Sequence, residues 1–436
     1  MNTWNELRSL LRGPVLTGGE EGFDTARRPW SLSVDQPVAA VVEAADADDV
    51  AALVRHAHRE GLAVAAQPTG HGASGDVKGA VLLRTKALDE VSVDPERRVA
   101  RVGAGVPWGR VQEAAAAHGL TGLPGSSPVV GVAGYTLGGG LSWFGRRHGW
   151  AADGVVALEV VDARGERARV TAESDPDLFW ALRGGGGDFA VVTALELALH
   201  PAPRLYGGRV VWAADRAERV LAAYTEVTAH APRELTVWLN LHHVPGQEPT
   251  VSVDATFLGG PERARELLRP LEAAGRPLRD TRGVLPLTGL GSITAEPTDP
   301  SPGLARAALL ADLGPDAVEA LLAEPIAPLL GVQVRHLGGA FADASDTPFG
   351  PMDERYYLYA MGVPFSPRMV PQIRARMEGL VASLGSQVSV RKPLTSLVPG
   401  ESVADVFSAR ALERLRRIKA ERDPQNVVRS NYPVLG

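Results

Sequence analysis

Residues 62–75 read LAVAAQPTGHGASG. Leu62 to Ala66 form a short apolar run of strand character. The chain then passes straight into Gln67, Pro68, Thr69, Gly70, His71, Gly72, Ala73, Ser74 and Gly75, a loop of small residues around one imidazole. Such glycines serve turns, because they reach positive φ without steric cost. They also let a backbone approach a pyrophosphate, whose oxygens accept from successive N–H groups. A turn is the simpler account of any single glycine cluster.

Working outward, the segment before this loop reads strand–helix–strand. Val38 to Val42 is β-prone. Asp46, Asp48 and Asp49 crowd a helix start, where carboxylates favour the positive dipole end. Val50, Leu53, Val54 and Ala57 recur at helical spacing, and Gly61 closes the helix. After the loop, Ala80 to Arg84, Val91 to Asp94 and Val99 to Val102 read as strands. A helix follows, with Pro107 in its first turn and Gly119 at its stop. Val155 to Asp162 and Arg167 to Thr171 suggest a hairpin about Arg164-Gly165. Asp175-Pro176 caps a helix that Gly184 to Gly187 closes, and Val191 to Leu199 is a further strand.

At His200-Pro201-Ala202-Pro203 the texture changes to longer strands and amphipathic helices. Strands are expected at Arg209 to Trp212, Leu235 to His242 and Thr250 to Leu258. Helices are expected near Ala214 to Ala231 and Pro261 to Ala274. Gly283 to Gly303 reads as a long surface loop. A last helix, Ala409 to Ala420, is stopped by Asp423-Pro424. The 436 residues exceed one compact core and suit two domains. The fold class expected is α+β, with an antiparallel sheet in the second domain.

Composition excludes several functions. A net charge of −6 with scattered basic residues argues against nucleic acid as a partner. The chain has no cysteine, so disulfides, thiolate nucleophiles and cysteine-bound metals are out, and no metal site is expected. Met1 to Arg12 lacks an apolar signal core, and no stretch is apolar enough to span a bilayer. A bacterial, cytoplasmic protein without a membrane partner is the expectation. Lysine occurs only four times, at Lys78, Lys86, Lys392 and Lys419, an arginine bias that fits a high-GC genome. A nicotinamide fold fails its test. Gly103 to Gly109 lacks the third glycine at the required spacing, and Gly184 to Gly187 follows a helix where a strand is needed.

Four motifs in order resemble the FAD-linked oxidases of the vanillyl-alcohol-oxidase superfamily, specifically the berberine-bridge-enzyme-like group. They are Gly70-His71-Gly72, then Gly131-Val132-Ala133-Gly134-Tyr135 with Gly138-Gly139-Gly140, then Arg183 to Val192, and finally Asp423-Pro424-Gln425-Asn426 through Asn431. The resemblance implies a PCMH-type FAD-binding domain over residues 1–205, completed by 408–436, and a substrate-binding domain over 206–407 whose antiparallel sheet is flanked by helices. It implies FAD bonded covalently to His71. It places Gln67, Thr69, Gly70, Gly72, Ala73, Ser74, Pro124, Gly125, Ser126, Val130, Gly131, Gly134, Tyr135, Gly138, Gly139, Leu141, Val192 and Asn431 around the cofactor. Some relatives tether the flavin a second time through a cysteine where this chain has Ser127, so only a single bond is expected. Ala133 replaces a glycine common in relatives, and its methyl narrows the path for oxygen.

The family's proton acceptor does not carry over. Many relatives have Tyr-x-Asn before the final helix, and here that region reads Arg391-Lys392-Pro393-Leu394-Thr395-Ser396. Substitutes are sought in the second domain. Trp238, Asn240 and His242 share one strand face by period 2, lining either a pocket or a solvent side. Arg335, His336 and the cluster Tyr356, Tyr357, Tyr359 are further candidates, and Tyr135 could donate to a reduced flavin. The catalytic set is thus Tyr135, Asn240, His242, Arg335, His336 and Tyr357. The activity expected is oxidation of a small-molecule substrate, such as a secondary metabolite, with O2 as acceptor, by a monomer or homodimer. Two alternatives stand beside it: an oxygenating or ring-forming flavoenzyme (an oxygenase or cyclase), and a redox-neutral member, such as a cyclase, that keeps FAD as scaffold.

Overall fold

The computed structural model describes residues 3–202 and 204–435. Pro203, where the texture of the sequence changes, lies outside the described residues, as do Met1, Asn2 and Gly436. A four-stranded sheet holds Val15–Thr17, Ala40–Glu43, Val81–Arg84 and Val64–Ala66, in that order. The last three run parallel, joined through helix Ala47–Glu60. The Asp46 carboxylate caps that helix by accepting from the amides of Asp48 and Asp49, and Gly61 ends it at φ 66°. Beside it lies a five-stranded antiparallel sheet ordered Val91–Asp94, Val99–Gly103, Val191–Ala198, Val155–Val161, Arg167–Val170.

The third layer is an eight-stranded antiparallel sheet. From one edge it runs Arg279–Asp280, Leu205–Ala213, Thr250–Phe257, Leu235–His242, Gly331–His336, Tyr356–Gly362, Leu304–Leu310. Gly283–Leu285 pairs on Leu205–Ala213 as well. Alternate residues of these strands enter two different cores. Val237, Leu239, Val253, Val334, Tyr356 and Leu358 pack on Leu221 and Tyr224 of helix Ala217–His230 and on Ile373 and Met377 of helix Met369–Ser383. Trp238, Ala307, Leu309 and Tyr357 instead join the core that holds Trp143, Trp150 and Phe341. No helix among the described residues is long and apolar enough to cross a membrane.

Two expectations need adjusting. The helix expected over 261–274 is α-helical only at Pro261–Leu268 and continues as 3₁₀ over Arg269–Ala274. Pro270 has no N–H to donate, so the α-ladder cannot continue through it. The expected loop over 283–303 is partly structured, because Leu287, Leu290 and Ile293 bury their side chains in helical turns.

The C-terminal segment returns to the first layers. Val428 bridges Val64 in parallel, and helix Ala409–Arg422 packs on helix Pro176–Leu182. Lys419 is fully buried and donates to Asp423 Oδ2 at 2.8 Å, to Asp188 O at 2.7 Å and to Val428 O. The Asp423 carboxylate accepts from the amides of Val427 and Val428, and that of Asp188 from Ser430 and Val434. Removing one partner of such a buried cluster leaves an uncompensated charge. Lys419→Met is therefore expected to lower stability by about 3–5 kcal/mol in urea denaturation. An unchanged midpoint would show that the ammonium contributes nothing net.

Candidate active site

Four segments converge where the layers meet. The loop 67–75 leaves strand Val64–Ala66 and is supported from below by Arg84. Arg84 donates to Gln67 Oε1 at 2.7 Å, to Ala26 O at 2.9 Å and to Arg28 O at 2.6 Å. Burial lowers its pKa to about 10. Gln67 exchanges amide hydrogen bonds with Gln36 at 2.7 and 3.1 Å. Its side chain is thus turned inward, where it shapes the loop and does not face the cleft. Gly70 has φ 84°, and a Cβ there would stand 2.7 Å from Pro29 Cβ. The turn has to be made by glycine.

His71 stacks on Trp30, with centroids 4.3 Å apart and planes 17° from parallel. Its Nδ1 lies 2.8 Å from Thr69 Oγ1, and its Nε2 is buried without a partner. Burial lowers its pKa to about 4, so the ring is neutral at pH 7. Ala73 is buried, and Ser74 donates to Asn431 O, joining the loop to the C-terminal tail. Gly131 packs against Pro68 and Thr69, which brings the second glycine segment alongside.

In that segment Pro124 O accepts from Trp143 N and from Ser142 Oγ, and Val130 O accepts from Trp108 N. Leu141 and Val192 are buried, the latter in the central strand Val191–Ala198. Ser126 is half-buried, next to the buried Ser127. Tyr135 sits edge-on to Trp108 at 5.6 Å and against Gly125. Gly140 has φ 80°, and a Cβ there would fall 2.5 Å from the Tyr135 ring, so glycine makes room for the phenol. Gly138 abuts Thr395 and Gly139 abuts Trp150.

These residues fit a dinucleotide cofactor by their unmet polar groups. His71 Nε2, Ser127 Oγ, Tyr135 OH and Ser430 Oγ are all buried without partners. Buried polar atoms are normally paired, so four orphans on converging loops call for a ligand. No atom lies within 4 Å of where a Cβ of Gly72 or Gly134 would stand, so both backbones face open space.

The large sheet presents its polar face toward this place. Arg209, Asp254, Trp238, Arg335 and Tyr357 lie in one cross-strand row, and Ser252, Asn240, Gln333 and Tyr359 in the next. Asn240 donates to Asp254 Oδ2 at 3.0 Å and accepts from Gln333 Nε2 at 2.7 Å. Asp254 is fully buried in a bidentate pair with Arg209 at 2.5 and 2.8 Å. His242 lies farther along the same strand, 3.0 Å from Ser252 Oγ, with its pKa lowered by burial to about 4. The solvent-facing alternative for Trp238 and Asn240 does not hold, because both are buried. Trp238 stacks on Trp143 at 3.4 Å, and Arg335 lies over Trp238 at 4.1 Å. Tyr357 OH is 2.9 Å from Ser396 Oγ, within the stretch that lacks the family tyrosine.

Strand parity separates two neighbours that the sequence left together. Arg335 and Tyr357 point to the polar face, whereas His336 and Tyr356 point to the helix-covered side. There His336 Nε2 lies 3.1 Å from Arg146 Nη1. Burial and the charges of Arg146 and Arg355 push its pKa down to about 2. His336 is thus a structural acceptor away from the cleft. Arg146 was not anticipated. It donates to the carbonyls of Leu235, Leu337, Ala231 and Pro232 and so clasps the sheet to the glycine segment. Lys419 was also missed, although an isolated lysine in an arginine-rich helix, four residues before Asp423, was a readable signal.

Residues 38–171 match the FAD binding domain family. The chain is 28% identical to (R)-6-hydroxynicotine oxidase of Paenarthrobacter nicotinovorans, over 97% of both sequences. Its fold is similar to that of Physcomitrella patens BBE-like 1, with TM-score 0.87, 17% identity and 100% and 99% of the two chains covered. It is also similar to berberine bridge enzyme from Eschscholzia californica, with TM-score 0.85, 19% identity and 99% of each chain covered.

The depressed pKa of His336 has a measurable consequence. The unfolded chain protonates this histidine below about pH 6.5, whereas the folded chain does not. Stability is therefore lost as pH falls below 6.5, by about 1.4 kcal/mol per pH unit from this group. His336→Gln is expected to flatten the stability–pH slope between pH 6.5 and 5 by that amount in denaturant titrations. An unaltered slope would mean that His336 protonates in the folded state.

Proposed function

We propose that this chain, an FAD-dependent oxidoreductase similar in fold to berberine-bridge-enzyme-like proteins, holds FAD through one covalent bond to His71 and oxidises a small organic molecule, with oxygen as final acceptor. The observation that carries the covalent reading is the neutral His71 ring, whose buried Nε2 has no partner. A neutral imidazole has a lone pair for bond formation without prior deprotonation. Trp30 holds the ring by stacking and Thr69 holds Nδ1, so orientation is set before attachment. The amides around Gly70 and Gly72 would hold the pyrophosphate, and the segment from Pro124 to Tyr135 would hold the ring system. The absence of cysteine limits the tether to one bond.

When bound, FAD would supply a two-electron acceptor for a hydride of the substrate, with O2 as the final oxidant. The protein's part is to place the substrate and take its proton. Trp238, Arg335, Tyr357 and Tyr359 form the wall against which the substrate would lie, on the polar face of the sheet. Tyr357 is the proton acceptor we assign, with Ser396 as its hydrogen-bond partner. Burial holds its phenol above the ordinary range, against the Arg335 charge and the Ser396 hydrogen bond, so it takes the substrate proton while passing its own toward Ser396. Similarity to an oxidase along nearly the whole chain favours oxidation over the oxygenase or cyclase alternative.

Two measurements test this. Wild-type protein precipitated with acid is expected to keep its yellow colour, and His71→Ala to release it into the supernatant. Colour released by the wild type would refute covalent attachment. Tyr357→Phe is expected to lower kcat by about 10²-fold or more with flavin content unchanged. Retention of full kcat would remove Tyr357 from proton transfer.

A further inference from the structure

We propose that Arg335 is a specificity-determining residue that anchors a carboxylate of the substrate, so that the enzyme selects planar, singly charged organic acids. This rests on the active-site reading above and deepens it. Arg335 Nε is held by Gln333 Oε1 at 2.5 Å, and Gln333 is held in turn by Asn240. That chain of side chains fixes the guanidinium while leaving its two terminal nitrogens without a hydrogen-bonded or carboxylate partner among the described residues. Several cations in or beside the sheet do have carboxylate partners, and Arg306 lies 3.4 Å from Glu401. Arg209 is spent on Asp254, and Arg355 on Asp312.

The surroundings define the chemistry. The guanidinium lies 4.1 Å from the Trp238 ring, 5.3 Å from Tyr357 and 5.9 Å from Tyr359. Its charge also acts on Tyr135 from across the cleft. A half-buried cation among aromatic rings is poorly hydrated, and its planar fork suits two carboxylate oxygens. One uncompensated positive charge balances a monoanion. A dianion such as a phosphate would leave a negative charge within the field of Glu296, which acts on Tyr359 as Arg335 does. The aromatic walls favour a flat body attached to that carboxylate.

The test uses the full-length holoenzyme, benzoate as probe and benzamide as its uncharged counterpart. Binding is read twice, by perturbation of the flavin spectrum and by tryptophan fluorescence, to which Trp238 beneath Arg335 contributes. Benzoate is expected to bind about tenfold or more tightly than benzamide. Arg335→Gln is expected to abolish that preference, and Arg335→Lys to restore it in part. Equal binding of the two probes by wild type, or unchanged benzoate binding by Arg335→Gln, would overturn the proposal. An altered sulfite affinity of the flavin in Arg335→Gln with benzoate binding intact would also overturn it, assigning the charge to the cofactor. Failure of the flavin reading itself shows separately, as protein without flavin absorbance whose tryptophan signal still reports the probes.

Discussion

An ammonium group enclosed by two carboxylates and two main-chain carbonyls decides where the tail of this chain can run. Lys419 has no access to water, and its charge is acceptable only because Asp423, Asp188 O and Val428 O surround it. The two aspartates pass the constraint on, each accepting two amides from residues 427–434. Those bonds set Val428 beside Val64 and Asn431 against Ser74. The loop that carries His71 is therefore braced by a segment more than three hundred residues away in sequence.

The large sheet solves a different problem. Its helix-covered side is largely apolar, and its polar groups His336 and Tyr356 are partnered by Arg146 and Thr228. Its other side buries Asp254 and Asn240 and half-buries Gln333 and Arg335, and each polar group withdrawn from water costs free energy unless paired. The pairing is complete at Asp254 and incomplete at the terminal nitrogens of Arg335. A network satisfied at one end and open at the other is a surface prepared for a polar ligand.

Local signals were legible where a single residue type determines backbone geometry. Asp46 and Gly61 bound their helix as their chemistry requires, and the strand 235–242 follows from its alternating pattern. The order of glycine motifs indicated the fold. What stayed hidden depends on facing. Arg335 and His336 are adjacent in sequence, yet which of them meets the cleft depends on strand register, and register is a tertiary property. Gln67 lies in the right loop but turns inward, because Gln36 and Arg84 compete for its amide. Arg146 carried no local mark, since its partners are carbonyls of distant segments. Ser396 became visible only through the neighbour it touches, Tyr357.

The clasp made by Arg146 bears on how such an enzyme could change its diet. Four of its acceptors are main-chain carbonyls, at Leu235, Leu337, Ala231 and Pro232, which every residue type presents alike. The sheet is thus docked by the course of its backbone, with little dependence on side-chain identity at those positions. Residues on the polar face can then be exchanged during evolution or by directed mutagenesis while the junction stays registered. Recognition and assembly are inherited separately, which makes this scaffold adaptable to new substrates without rebuilding the seat of its cofactor.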